Sequence, residues 1–290
     1  MISLCVKTNN LNSIQYLLNE LRTIDLNDIC FSSHQFRHYK NVIIHYNGKS
    51  KNDFISKISS ILSFLVIDNY EEEFLKRILL CNYFYFNSVE RNQILDICFD
   101  LMADNLTENF NRKFKLLYNS FFEFLLSNKY LVLDGFLNFR VKDYMDLLDD
   151  IVNTATNHYI VEKEYLEFIS LLKLYIKSRP TETNIVHLIY SNNESILLDA
   201  NKEIIQITGD FLNAKYLSDI SFSSNDYTLN TLLSLLPKDI FVHLIDNYAD
   251  EFINTLELVF EKRIHLCTNC DICNFYKSHI KTIPHNSDYK

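Results

Sequence analysis

Three cysteines fall within seven residues near the C-terminus: Cys267, Cys270 and Cys273, forming two overlapping C-x-x-C steps. Thiolates are soft ligands for zinc and for iron–sulfur clusters, and a two-residue gap lets a tight turn aim two sulfurs at one ion. Three thiols leave a four-coordinate site one donor short. The candidates close by in sequence are His265 and His279, with His285 further along; Cys5, Cys30, Cys81 and Cys98 lie elsewhere in the chain. Zinc or an iron–sulfur cluster is therefore the cofactor this pattern would take. The spacing follows the first three cysteines of a bacterial ferredoxin motif, but the fourth would fall on Lys277. A C-x-x-C pair can also be redox-active when it opens a helix, because the helix dipole lowers the thiol pKa. Helical periodicity here leads into the cysteines and not out of them, which weakens that reading. The plain alternative is reduced thiols on a C-terminal tail.

Other constellations are weaker. Only 3 Gly and 3 Pro occur, where average usage would give about 20 and about 15. Gly48, Gly135 and Gly209 are isolated, so neither a dinucleotide fingerprint nor a Walker loop is present. No His-Glu-x-x-His motif or nucleophile elbow occurs. Asp199, Glu203, Asp219 and Asp226 could gather around Mg²⁺ as in a nuclease, yet they read better as caps and turn residues. His34, His38 and His45 have Arg37 and Lys40 among them and suit exposed loops. His187 and His243 sit among aliphatic residues in strand-like runs and read as core histidines with a backbone partner.

The elements that would position these residues follow from periodicity. Residues 2–7, 29–33 and 41–46 read as strands, with a helix carrying Leu11, Ile14, Leu17, Leu18 and Leu21 between the first two. Helices follow from Asn52 to about Arg179. Glu71, Glu72 and Glu73 read there as a solvated face pairing with Lys76 and Arg77. The clearest stretch, 141–178, keeps an apolar face through Tyr144, Leu148, Ile151, Val152, Tyr165, Phe168, Ile169, Leu172, Tyr175 and Ile176 until Pro180 stops it. Beyond Pro180 the period changes to two: residues 185–190 and 195–199 form a hairpin about Asn192 and Asn193, and 202–207 adds a strand. A helix from Asn225 or Asp226 ends before Pro237, 239–245 is a strand, and 248–266 is a last amphipathic helix running into the cysteines.

The resulting fold class is α+β and predominantly helical. A central long-helix bundle has a small β-α-β-β unit on its N-terminal side and a small α/β domain on its C-terminal side. The expected division is residues 1–50, 51–180, 181–266 and a cysteine-containing tail, 267–290. The formal charge is −9, and residues 51–250 hold 18 Lys and Arg against 29 Asp and Glu. That balance disfavours duplex DNA and anionic membrane surfaces, which need clustered cations. No apolar run reaches the roughly 18 residues of a membrane span. The N-terminus lacks a basic segment followed by an apolar one, and an odd cysteine count suits a reducing compartment. A cytoplasmic protein with a protein partner is the expectation.

A longer pattern adds to this. Phe136, Leu137, Asn138, Phe139 and Arg140 are followed by Tyr144, then by the runs Val161–Ile169 and Leu171–Lys173. Together with Asp226–Pro237, the strand through His243 and the approach to the cysteines, this resembles the YtxC-like sporulation proteins of endospore-forming Firmicutes. The similarity spans residues 130–273, and the richness in Asn, Ile, Lys and Tyr suits an AT-rich clostridial genome. The resemblance implies a role connected with spore formation and carries over no catalytic residue. Three functions follow as expectations: a non-enzymatic, partner-binding or regulatory sporulation protein; a metal- or iron–sulfur-binding regulator using the cysteines; and a metal-dependent hydrolase or nuclease of the C-terminal domain.

Overall fold

The computed structural model describes residues 1–24, 28–36, 39–103, 106–205 and 223–280, with the side chains of Phe36, Leu106, His279 and Ile280 left aside. The architecture is α+β and predominantly helical, and the chain divides into two compact units, Met1–Glu162 and Lys163–Lys290. Among the described residues no helix is long and apolar enough to cross a membrane.

The first unit opens with β1 (Ile2–Thr8), α1 (Leu11–Thr23), β2 (Ile29–Phe36) and β3 (Tyr39–Tyr46). Asn10 caps α1, its side chain accepting from the N–H groups of Asn12 and Ser13. The helix buries Ile14, Leu17 and Leu21, its predicted face. Then follow α2 (Lys51–Asn82), α3 (Ser88–Ala103), α4 (Leu106–Ser127), β4 (Tyr130–Val132) and α5 (Leu133–Phe139). The short strand β4 is not signalled by periodicity, since three residues are too few to show a period. It pairs in parallel with β1, Val6 opposite Leu131, and completes a sheet in the order β2-β3-β1-β4. The last helix of the unit, α6 (Lys142–Ser178), extends into the second unit. In the first unit it buries Tyr144, Leu148, Val152 and Ala155 in the same core as Phe54, Leu62, Leu65 and Phe121.

The acidic run departs from expectation at its first member. Glu72 does pair with Lys76 on the surface, but Glu71 is buried. Its carboxylate accepts from Lys113 Nζ at 2.7 Å and from the Tyr144 hydroxyl at 2.8 Å. On a helix, neighbouring residues lie about 100° apart, so one Glu of three consecutive ones can face the core. The buried pair is tolerable because each carboxylate oxygen has a donor. Burial, reinforced by the Glu71 charge, holds the Tyr144 phenol protonated far above its ordinary range.

The second unit contains β5 (Thr183–Ser191), β6 (Glu194–Leu198), α7 (Ser224–Leu235), β7 (Pro237–Leu244), α8 (Glu251–Phe260), β8 (Ile264–Cys267) and α9 (Asp271–Ile280). The sheet order is β6-β5-β7-β8. β5 and β6 form the predicted hairpin, with Asn192 and Asn193 both left-handed at φ 49° and 62°, as a two-residue hairpin turn requires. The pairings β5–β7 and β7–β8 are parallel. One face of the sheet carries Val186, Leu188, Ile240, Val242 and Leu244. It packs on Ile169 and Ile176 of α6, Leu232 of α7, and Ile253, Leu256 and Val259 of α8. The other face carries Ile189, Leu198 and Ile245 against Cys273 and Ile272 of α9.

Four expectations change here. The helix read as 248–266 ends at Phe260. Glu261 turns left-handed (φ 50°), a 3₁₀ turn follows through Arg263, and the chain becomes strand β8. Ile264 sits four residues after Phe260, so it prolongs the helical period by coincidence. Arg263 instead donates to the Pro237 carbonyl and sets β8 beside β7. Second, the described part of the stretch taken as a tail holds α9. Third, the strand expected over 202–207 is reduced among described residues to a single bridge, Ile204 to Leu198; residues 206 and 207 lie outside them. In α6, Phe168 and Tyr175 are exposed and leave the apolar stripe assigned to them.

Lys113→Met strands Glu71 as an unpaired buried charge. The expected cost is about 3–5 kcal/mol of stability, read from denaturant unfolding of the full chain. Glu71→Gln combined with Lys113→Met should cost clearly less than the two single changes added together.

Candidate metal centre

The site is built from a strand, its parallel neighbour and a helix start. In the β7–β8 register His243 stands opposite Cys267. Register partners in neighbouring strands project to the same face, so the imidazole and the first thiol meet there. After β8 the chain makes a short turn and enters α9 at Asp271. Cys270 immediately precedes this helix and Cys273 lies in its first turn. The N–H of Cys273 points to Cys270 Sγ at 3.5 Å, and the N–H of Asn274 makes the first helical bond to the Cys270 carbonyl at 2.9 Å. Lys277 holds this loop in place, its ammonium donating to Thr268 O at 2.8 Å and to Asn247 Oδ1 at 3.1 Å. The residue that breaks the ferredoxin pattern therefore fastens the cysteine loop to the turn after β7.

The four side chains converge on a point. His243 Nδ1 lies 3.3 Å from Cys270 Sγ and 3.4 Å from Cys273 Sγ. Cys273 Sγ lies 3.6 Å from Cys270 Sγ and 3.8 Å from Cys267 Sγ. All four ligand atoms are within 4.8 Å of one another. A tetrahedral zinc ion takes sulfur at about 2.3 Å and nitrogen at about 2.0–2.1 Å, which sets S···S edges at about 3.8 Å and S···N edges at about 3.6 Å. Four of the six edges match this to within a few tenths of an ångström, the other two lie within 4.8 Å, and the cluster could hold a metal ion. A [4Fe–4S] cluster puts each ligand on a different iron and a [2Fe–2S] cluster divides its four ligands between two irons, either of which spreads the donors further apart; these edges suit a single ion.

The electrostatics agree with a soft-donor site. His243 is buried, and burial together with neighbouring His187 holds its pKa down to about 4. Its ring is thus the neutral form that coordination needs. Burial pushes the Cys273 thiol up to about 11. Burial also raises Cys270, but the Cys273 N–H and the flanking thiols outweigh it and leave that thiol below its ordinary value. Behind the ring, His243 Nε2 meets His187 Nδ1 at 3.0 Å. If Nδ1 faces an ion, the ring proton sits on Nε2 and donates to His187, which fixes tautomer and ring plane. The His187 ring also stacks on Phe241, and Phe241 on His265, with centroids 5.4 and 5.0 Å apart.

Of the sequence candidates, the structure gathers Cys267, Cys270 and Cys273. It turns His265 away: its Nε2 pairs with Asp239 Oδ1 at 2.9 Å on an exposed edge. Two residues along a strand is about 6.6 Å, so His265 shares a face with Cys267 without sharing its ion. The His279 side chain and His285 lie outside the described residues. The fourth donor is His243, which its aliphatic flanks had marked as core; the missing signal was pairing between strands more than twenty residues apart. The second C-x-x-C step also stands at a helix start and not after a helix, because Cys270 and Cys273 open α9. Elsewhere, burial lifts the Cys98 thiol to about 12 and outweighs Lys7 in raising Cys5. Asp199 accepts from the N–H groups of Asn201 and Glu203 within a turn. Asp226 forms a capping box with Ser223, while Asp219 lies outside the described residues. His45 pairs with Ser3 at 2.8 Å.

Comparison with known proteins places the chain in a family. Residues 56–265 match the YtxC-like family, a span that includes His243 and stops just before the three cysteines. The "Uncharacterized protein YtxC" of Bacillus subtilis (strain 168) is 21% identical over 202 residues, covering 68% of this chain and 71% of that protein. No solved structure matches. With well over half of its length matched, the chain belongs to the YtxC-like family.

Proposed function

We propose that the C-terminal unit is a zinc-binding module, with His243, Cys267, Cys270 and Cys273 as ligands, in a non-enzymatic regulatory or partner-binding protein of the sporulation programme. The observation that carries the metal reading is the convergence of one imidazole nitrogen and three sulfurs within 4.8 Å of one another. Three thiolates and one imidazole form a structural zinc set. Four protein donors leave no open position for water or substrate, which favours a structural over a catalytic ion. Binding would also tie β8 and α9 to β7, so the ion's contribution would appear as folding free energy. The hydrolase reading gains nothing from Asp199 and Asp226, which serve as turn and cap residues. The sporulation role and a cytoplasmic location rest on the family resemblance and on the composition.

Purified anaerobically, the full chain should carry one zinc per molecule by elemental analysis and show no visible absorbance from iron–sulfur charge transfer. Cys270→Ser and His243→Ala should each lose most of the metal, while His265→Ala keeps it. A metal-free wild type, or loss of metal with His265→Ala alone, would sink the assignment.

The second sphere gives its own expectation. His187→Ala should weaken zinc affinity by about 10–100-fold, measured by competition with a chromogenic chelator. His187→Asn, which can still accept the Nε2–H bond, should recover part of that loss. For the biological role, deletion of the gene in an endospore-forming host should lower the yield of heat-resistant spores without slowing vegetative growth; an unchanged yield would argue against it.

A further inference from the structure

Within the second unit α6 has two faces. Ile169 and Ile176 are buried, with Tyr165 and Leu172 packed beside them in the core. On the opposite side Phe168, Leu171, Leu174 and Tyr175 are exposed, Leu171 and Leu174 at 65% and 64%. At 3.6 residues per turn these four lie within one arc of roughly 120°, together with Glu164 and Glu167 toward the start of the segment and Ser178 at its end. A contiguous apolar stripe on an outward helix face marks an interaction surface.

Its charges are arranged with a direction. Glu164 and Glu167 precede the apolar residues and Arg179 follows them, while Lys177 lies near Glu261. The Arg179 guanidinium lies 4.6 Å from the centre of the Tyr175 ring, at the edge of the stripe. Lys173 is turned aside, pairing with Glu261 at 3.0 Å. A helix packed parallel to an identical one would set acid on acid and base on base. An antiparallel pair sets each acidic end against the partner's basic end.

We propose that this face of α6 is the contact for a second copy of the chain, the two helices packed antiparallel about a two-fold axis at Leu171. The symmetry is isologous. Leu171 meets Leu171 of the partner subunit, Phe168 meets Leu174 of the partner subunit, and Glu164 reaches Ser178 and Arg179 of the partner subunit. The contact runs over about 21 Å of helix. That is small against the usual figure of about 800 Å² per partner, so the dimer is concentration-dependent. It is independent of the metal centre.

Sedimentation velocity of the full chain over a concentration series tests this, with circular dichroism confirming that each variant keeps its helicity. The wild type should pass from monomer to dimer. Leu171→Glu should weaken the dimer by more than about tenfold, as should Glu164→Lys with Glu167→Lys. Adding Arg179→Glu to that second variant should restore part of the association, since acid and base are then exchanged between the two ends of the stripe, which a generally sticky surface would not do. Leu171→Cys should yield a 171–171 crosslink on oxidation, identified by mass spectrometry, and Glu164→Cys should yield no 164–164 link. A chain monomeric throughout, a dimer indifferent to Leu171→Glu, no rescue on charge exchange, or a 164–164 link would overturn the proposal.

Discussion

The parallel pairing of β7 with β8 is what the second face of the C-terminal unit depends on. β8 is only four residues long and runs along the sheet edge. It has few ladder bonds of its own, and the Arg263 bond to the Pro237 carbonyl sets its start. Register then decides everything downstream. With His243 opposite Cys267, the turn that follows brings Cys270 and Cys273 under the same imidazole, and α9 lies back over Ile189 and Ile245. A slip of one residue would send Cys267 to the other face, among the side chains of α7 and α8, and leave α9 without its seat.

The two units handle buried polarity in opposite ways. In the first, the Glu71 carboxylate finds a cation and a phenol inside the chain, so the polar cluster closes on itself. In the second, three thiols and a neutral imidazole face one another with no cationic side chain among them. Donors of that kind pointed at a common centre have little to offer each other, since thiols form only weak hydrogen bonds. Self-sufficiency in one core and an outward need in the other follow from the residue types alone.

Much of the fold was legible from period and punctuation. The α1 stripe, the long α2 and α6 helices and the Asn192–Asn193 hairpin all announce themselves locally. What escaped was set by distant partners. β4 is three residues long and is a strand because β1 lies beside it. β8 continues a helical period through Ile264 and is a strand because β7 lies beside it. Glu71 sits in an acidic run that reads as solvated, yet the partner that buries it, Lys113, comes from α4. The thiol half of the candidate site was visible as spacing. Its imidazole was not, because Ile, Phe, Val and Leu around His243 look the same whether the ring is buried for packing or aimed at sulfur. Phe168 and Tyr175 were misplaced for a related reason: an apolar stripe wider than one face cannot say which edge meets the core.

Scarcity of glycine has a conformational consequence. Among the described residues neither Gly48 nor Gly135 is left-handed, and the turns that need positive φ use other residues: Asn192, Asn193 and Asn247 after β5 and β7, Leu236 at the exit of α7, Glu261 at the exit of α8. Asn tolerates that geometry; for Leu236, in the left-handed helical region, it costs about 1–2 kcal/mol, and Glu261, at ψ −119°, lies outside even that region. Leu236 and Glu261 therefore adopt it only under the hold of what they connect, with Leu236 N–H bonded back to Leu232 and Glu261 N–H to Glu257. The entry into β8, and with it the convergence of sulfurs and imidazole, therefore depends on α7, α8 and the sheet holding these two exits in place.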